Sequence, residues 1–246
     1  MSSVEIILLL TAFLSATLSG AAGLGGGTIL IAVMFAVGLP PTQAVALFAA
    51  VQLVSNLSRT LVYRSAVYWG GLFWFCVALL LTTLLLLPWL GRLDAHLLSL
   101  LLAALVFLSL LPMRLPWPWM PARVSVTVAG ILNGAVGLFV GATGLVVGRL
   151  FLRPDWSRQT TIATLALTQV LGHALRVLIL GLSGFSVLED AALLLSLCAA
   201  VIAGTGVGKR LNRHINEALF AILFRTILFV LSVKLGFDGF EGLGWI

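Results

Sequence analysis

Two trios of polar residues interrupt a chain that is otherwise mostly apolar. Gln52, Asn56 and Arg59 are spaced i, i+4, i+7, and Gln169, His173 and Arg176 repeat that spacing 117 residues later. On a helix this spacing puts each trio on one stripe. An arginine inside an apolar helix costs roughly 2.5–3.5 kcal/mol on insertion scales unless it faces a partner or a wet cavity. No acidic residue lies in the middle of an apolar segment to neutralise Arg59 or Arg176. Two such guanidiniums call for an anion that enters and leaves, and their planar donor forks suit oxyanions. Gln52, Asn56, Gln169 and His173 would hydrogen-bond its oxygens. His173 is also the one side chain in these segments that ordinarily titrates near neutrality, so a proton coupled to transport is one role for it and a bond to a neighbouring helix is another. The competing interpretation of both arginines is snorkelling: Arg59 lies five residues before Arg64, and Arg176 five before Gly181.

Glycine clusters form the second constellation. Gly23-Leu24-Gly25-Gly26-Gly27 and Gly141-Ala142-Thr143-Gly144 would each break a helix at membrane depth. Lipid satisfies no freed backbone group, so such a break must be buried in protein or line a wet cavity. The helices restarting near Thr28 and Gly144 would present free N–H groups and a positive dipole end, suited to an anion. Gly26, Gly27, Thr28, Thr143 and Gly144 are therefore candidate binding residues. Close helix packing through small residues is the plainer alternative. No strand or βαβ unit surrounds the glycines, which argues against a dinucleotide fingerprint, and nothing resembles an ATP-binding loop. His96, His173 and His214 are scattered and no HExxH occurs, so neither a metal nor a cofactor is expected, and an intramembrane enzyme ranks below a transporter.

The elements that must position these residues follow from composition. Of 246 residues, 61% are hydrophobic and 9% charged, with a mean hydropathy of +1.18. Soluble domains carry roughly 25% charged residues, so a water-exposed surface could not be covered here. A net charge of +6 without a long basic run points away from nucleic acid. Punctuation by Gly, Pro and charge leaves apolar segments at 4–19, 28–38, 42–63, 70–90, 95–112, 122–136, 145–153, 158–181, 187–206 and 216–236. Those of about 18 residues or more are long enough to cross a bilayer. The first has only Glu5 ahead of its apolar stretch and reads as a retained membrane segment. Cys76 and Cys198 sit in apolar runs and read as inert core packing. Trp69, Trp89, Trp117, Trp119, Trp156 and Trp245 read as interfacial anchors, and Pro112, Pro116, Pro118 and Pro121 mark a connector. Arg225, mid-segment, has Glu189 or Asp190 as conceivable partners.

The same offset of 117 residues aligns Gly20 with Gly137, Gly27 with Gly144, Ala46 with Ala163, Ala49 with Ala166 and Gly91 with Gly208. It predicts a duplication with halves 1–117 and 118–246. If each glycine-broken pair returns to its starting side, Arg64, Arg114, Arg123, Arg149, Arg153, Arg158, Lys209, Arg210 and Arg213 share one side, against Arg92 and Lys234 on the other. If each pair crosses once, the split is weaker, with Arg64, Arg114, Arg123 and Lys234 facing the remaining seven. The positive-inside rule selects the first arrangement, with both termini outside. The halves then have opposite orientations, and inverted repeats place substrate at the midplane between them. The expected fold is an all-α membrane protein with an inverted-topology repeat of two halves and roughly eight to ten transmembrane or re-entrant helices. A channel is not separable from a carrier on these residues, and a homo-oligomer is left open.

The run Gly20-Ala21-Ala22-Gly23-Leu24-Gly25-Gly26-Gly27, followed by Gly38-Leu39-Pro40 and the Ala44–Arg59 helix, resembles the TauE/SafE family, as does the ending from Arg64 to Trp69. The two-half architecture extends the resemblance over nearly the whole chain. The resemblance implies a bacterial inner-membrane permease or exporter for sulfite, an organosulfonate or a related organosulfur anion, with the bilayer and that small anion as partners. With nothing resembling an ATP-binding loop, the expected driving force is an ion or proton gradient or the substrate's own gradient.

Overall fold

The computed structural model describes residues 2–22, 26–111, 120–184, 191–211 and 217–245. Among them are ten α-helices: α1 (Ser3–Ala22), α2 (Gly26–Ala36), α3 (Pro41–Tyr63), α4 (Leu72–Leu86), α5 (Ala95–Leu110), α6 (Ala122–Val140), α7 (Gly144–Phe151), α8 (Arg158–Leu182), α9 (Ala191–Leu211) and α10 (Glu217–Gly242). No strand occurs among the described residues. The Gly23–Gly25 cluster, the prolines at 112, 116 and 118, Trp117, Trp119, Glu189, Asp190 and His214 lie outside the described residues.

Five stretches are long and apolar enough to cross a membrane: Pro41–Leu61, Trp69–Trp89, Ala122–Val140, Arg158–Leu182 and Ala191–Gly208. At 1.5 Å per residue, the 21 residues from Trp69 to Trp89 span about 30 Å, the hydrocarbon thickness of a bilayer. Trp69 and Trp89, both exposed, stand at its two ends, where aromatic anchors belong. Between them Phe73, Leu81 and Leu85 are exposed, an outward apolar face that only lipid or another membrane surface accommodates. The chain is a multi-pass membrane protein.

Helix boundaries depart from the sequence expectation in three places. The 95–112 segment yields a helix of 16 residues, because Leu111 turns extended (ψ 141°), the conformation favoured before the proline at 112. α6 runs through Gly130, Gly134 and Gly137 to Val140, past the expected end at 136, and α1 runs to Ala22, past the expected end at 19. The glycines inside α6 remain helical because they serve packing: a side chain on Gly130 would meet the Phe75 carbonyl, and one on Gly134 the Leu79 carbonyl, both of α4. Gly204 of α9 meets the Phe13 carbonyl of α1 in the same manner. Cys76 is exposed on α4 rather than packed in the core, and Arg225 is exposed on α10.

The principal helix pairs are α1 with α9, α4 with α6, α3 with α8 and α5 with α10. Two apolar cores result. One joins α1, α2, α3, α5, α9 and α10, and the smaller joins α4, α6, α7 and α8. The α3–α8 pair lies where the two meet, and it carries the polar stripes of both trios.

Candidate functional site

The α6–α7 break is built on Gly141, which ends α6 at φ 71°, a left-handed conformation that glycine adopts without strain. A Cβ there would also lie 2.9 Å from the Phe48 ring of α3, so the turn and the facing aromatic fit only without a side chain. Thr143 follows at the start of α7, but its hydroxyl does not cap that helix. It donates instead to Asn133 Oδ1 of α6 at 2.8 Å, tying the two sides of the break together. On the other half, α2 begins at Gly26, and a Cβ on Gly27 would coincide with the Gln52 amide of α3. The absence of a side chain at Gly27 is what lets Gln52 sit against the first turn of α2.

Between the start of α2 and the α6–α7 break lies a cavity of about 40 Å³, room for roughly three waters. Its first-half wall is Ser19 of α1, Gly27 and Thr28 of α2, and Phe48, Gln52, Asn56 and Arg59 of α3. Its second-half wall is Gly141, Ala142 and Gly144 of the break, with Leu165, Gln169 and His173 of α8. No carboxylate is among the described lining residues. The first N–H groups of α2 and α7 have no intrahelical acceptor, and Thr28 and Gly144 stand at those starts.

The polar side chains are oriented by short-range bonds. Asn56 donates from Nδ2 to the Gln52 carbonyl at 2.9 Å, and Arg59 donates to Ser55 Oγ at 3.4 Å. Thr143 Oγ lies 3.4 Å from Gln169 Oε1, but a hydroxyl has one hydrogen and the shorter contact, to Asn133, takes it. Gln169 Nε2 is buried with no partner among the described residues, on the cavity wall. Phe48 packs edge-on to the His173 ring at 5.5 Å and 77°, closing the α3–α8 seam beside the cavity.

The two arginines are placed differently. Arg59 is half-buried and lines the cavity. Arg176 is 2% exposed and does not line it. It lies between α6 and α8, donating to His173 Nδ1 at 2.8 Å and to Asn133 Oδ1 at 2.9 Å, both neutral partners. Arg176 Nε has no partner among the described residues. Gly26 is buried against the Ser15 carbonyl of α1 and likewise stands outside the cavity wall. Of the sequence candidates, Gln52, Asn56, Arg59, Gln169, His173, Gly27, Thr28 and Gly144 come together on the wall; Thr143 and Arg176 stand behind it.

Sequence reasoning missed Asn133, Ser19 and Phe48. Asn133 falls opposite Ala16 in the duplication, so the repeat gives it no signal. Its one visible sign is that it is a polar side chain within an apolar segment, where such groups find partners. A second hollow, of about 240 Å³ between the starts of α3 and α5 and the end of α6, is lined by Pro41, Leu93, Leu98, Phe139 and similar apolar groups and carries no charge. Among the described residues no cluster of His, Cys, Asp or Glu could hold a metal ion.

No curated protein and no solved structure matches this chain. The family model for the sulfite exporter TauE/SafE matches residues 8–235, nearly the whole length. A helical membrane chain with a donor-lined cavity and this match is identified: it belongs to the TauE/SafE sulfite exporter family.

Proposed function

We propose that the chain carries a small oxyanion, sulfite or an organosulfonate, across a bacterial inner membrane by alternating access at the cavity between α3 and α8. The observation that carries this reading is the wall itself: an arginine, a buried amide with no partner among the described residues, a histidine and two helix starts surround a space with no carboxylate among its described lining residues. Such a wall attracts an anion and replaces its lost water with fixed donors. Arg59 supplies the charge-assisted contact, while Gln52, Asn56, Gln169 and His173 supply neutral ones. Arg176 adds positive potential from behind the wall at close range.

A space for roughly three waters accommodates three oxygens about one central atom, the part that sulfite and a sulfonate share. The transport cycle rests on two inverted halves, 1–117 and 118–246, with both termini on the outer side. Support for the duplication comes from the helix pairs. Exchanging the halves turns α1 with α9 into α6 with α4, and returns α3 with α8 and α5 with α10 to themselves. Secondary transporters built this way move one half against the other around a fixed midplane site.

Flux measured in proteoliposomes tests the proposal. Saturable movement of sulfite or of a sulfonate bearing an organic tail is the expected result. No flux of either would overturn transport of this class of anion.

A further inference from the structure

We infer that Asn133 and Arg176 are positioning residues that hold His173 as a fixed Nε2–H donor on the cavity wall, so that no proton passes through His173 during transport. The inference rests on the anion site proposed above and assigns one of its donors. A guanidinium has five N–H donors and no acceptor. Its 2.8 Å contact to His173 Nδ1 therefore requires Nδ1 to accept, which leaves the ring hydrogen on Nε2. Turning the ring over would put a carbon at that distance from the guanidinium, too close for contact. Accepting a further proton would need the Nδ1 lone pair already given to Arg176.

The guanidinium is held in turn. Asn133 Oδ1 accepts from Arg176 at 2.9 Å, and the Asn133 backbone carbonyl lies 3.4 Å from the same nitrogen. The amide orientation is settled by the same chemistry, because a flipped Asn133 would aim its NH₂ at a group that only donates. Asn133 Nδ2 is engaged with the Ala129 carbonyl at 3.1 Å, and Thr143 gives its hydrogen to Asn133 Oδ1. The slot that receives the guanidinium is made by two glycines. A Cβ on Gly137 would come within 2.1 Å of Arg176, and one on Gly172 within 2.9 Å of Asn133 Oδ1. Asn133, Arg176 and His173 are each 1–2% exposed.

The charged groups facing His173 are Arg176 on its own helix and Arg59 on α3. The aromatic face is Phe48 of α3, and Asn133 of α6 is linked to the ring through Arg176. Arg123 of α6 and Arg149 of α7 stand near the ends of their helices, Arg149 bonded to the Leu108 and Ser109 carbonyls, and no carboxylate faces the ring among the described residues.

Nitrogen-15 spectra of histidine-labelled protein, with His173→Asn to assign the signal, read the tautomer directly. Native protein is expected to keep the hydrogen on Nε2 throughout about pH 5 to 8. Asn133→Asp retains an acceptor for Arg176 and should keep the same signal, whereas Asn133→Ala should give a mixture of tautomers. Sulfite affinity, measured by calorimetry, should fall roughly tenfold in Asn133→Ala, the effect of one misdirected buried hydrogen bond. A hydrogen on Nδ1 or an imidazolium in the native protein overturns the inference, as does an unaltered sulfite affinity in a folded Asn133→Ala protein. Absence of sulfite binding to the native protein would instead remove the anion site, and leave the spectra to decide the tautomer alone.

Discussion

Arg59 and Arg176 show what spacing reveals and what it hides. Both were legible as helix-borne cations in an apolar chain, at equivalent places in a duplication. Their different surroundings were not, because those depend on α6, whose Asn133 has no counterpart in the other half. At this scale the prediction concerns Arg59. Arg59→Gln keeps length and polarity and removes the charge-assisted contact, which is worth about 1.5–3 kcal/mol. Sulfite affinity should weaken by roughly 10–100-fold, measured by calorimetry on purified protein, with melting temperature little changed. Arg59→Lys should fall between the two, since a point charge replaces a planar fork. Arg225→Gln, on the exposed face of α10, should leave affinity as it was.

Segment positions were legible because apolar runs and Gly/Pro punctuation mark helices strongly, and all ten segments correspond to helices. Their ends were less so. α6 continues through three glycines because α4 approaches its backbone there, a tertiary effect no local pattern carries. Gly134→Leu should force α4 and α6 apart at the Leu79 carbonyl and cost about 1–3 kcal/mol as an overpacked contact, read as a lowered melting temperature in detergent. The loop between α7 and α8 gives a second test. Arg153, buried, donates to both Asp155 oxygens, to Ser125 and to the Met120 carbonyl, and its guanidinium lies 5.9 Å from the Trp156 ring centre. The hydrogen bond from Arg153 holds the exposed Asp155 carboxyl below its ordinary range. A lowered carboxyl contributes stability above its unfolded value, about 3.9, and loses it as pH falls through the lower folded value. Melting temperatures of native and Asp155→Asn protein should therefore differ slightly near neutrality and converge below about pH 4. A difference that widens on acidification would contradict this.

For the molecule as a whole, membrane class came from composition, and the duplication from a handful of polar and glycine matches. The sequence predicts that the two stripes converge on one polar pocket; which side chains line it and which stand behind it was not legible, because that depends on α6. The charge asymmetry of nine against two puts both termini on the outer side in our proposal. Cysteines introduced at Ser2 and Trp245 should then react with a membrane-impermeant thiol reagent added outside intact cells; labelling only after the membrane is opened would reverse the topology. The central claim is that an anion sits between α3 and α8. Selenite, the selenium counterpart of sulfite, can be located by its anomalous scattering in crystals of the protein. The account predicts one dominant peak in the cavity, within hydrogen-bonding distance of Arg59 and His173. A peak elsewhere with this cavity empty would contradict it.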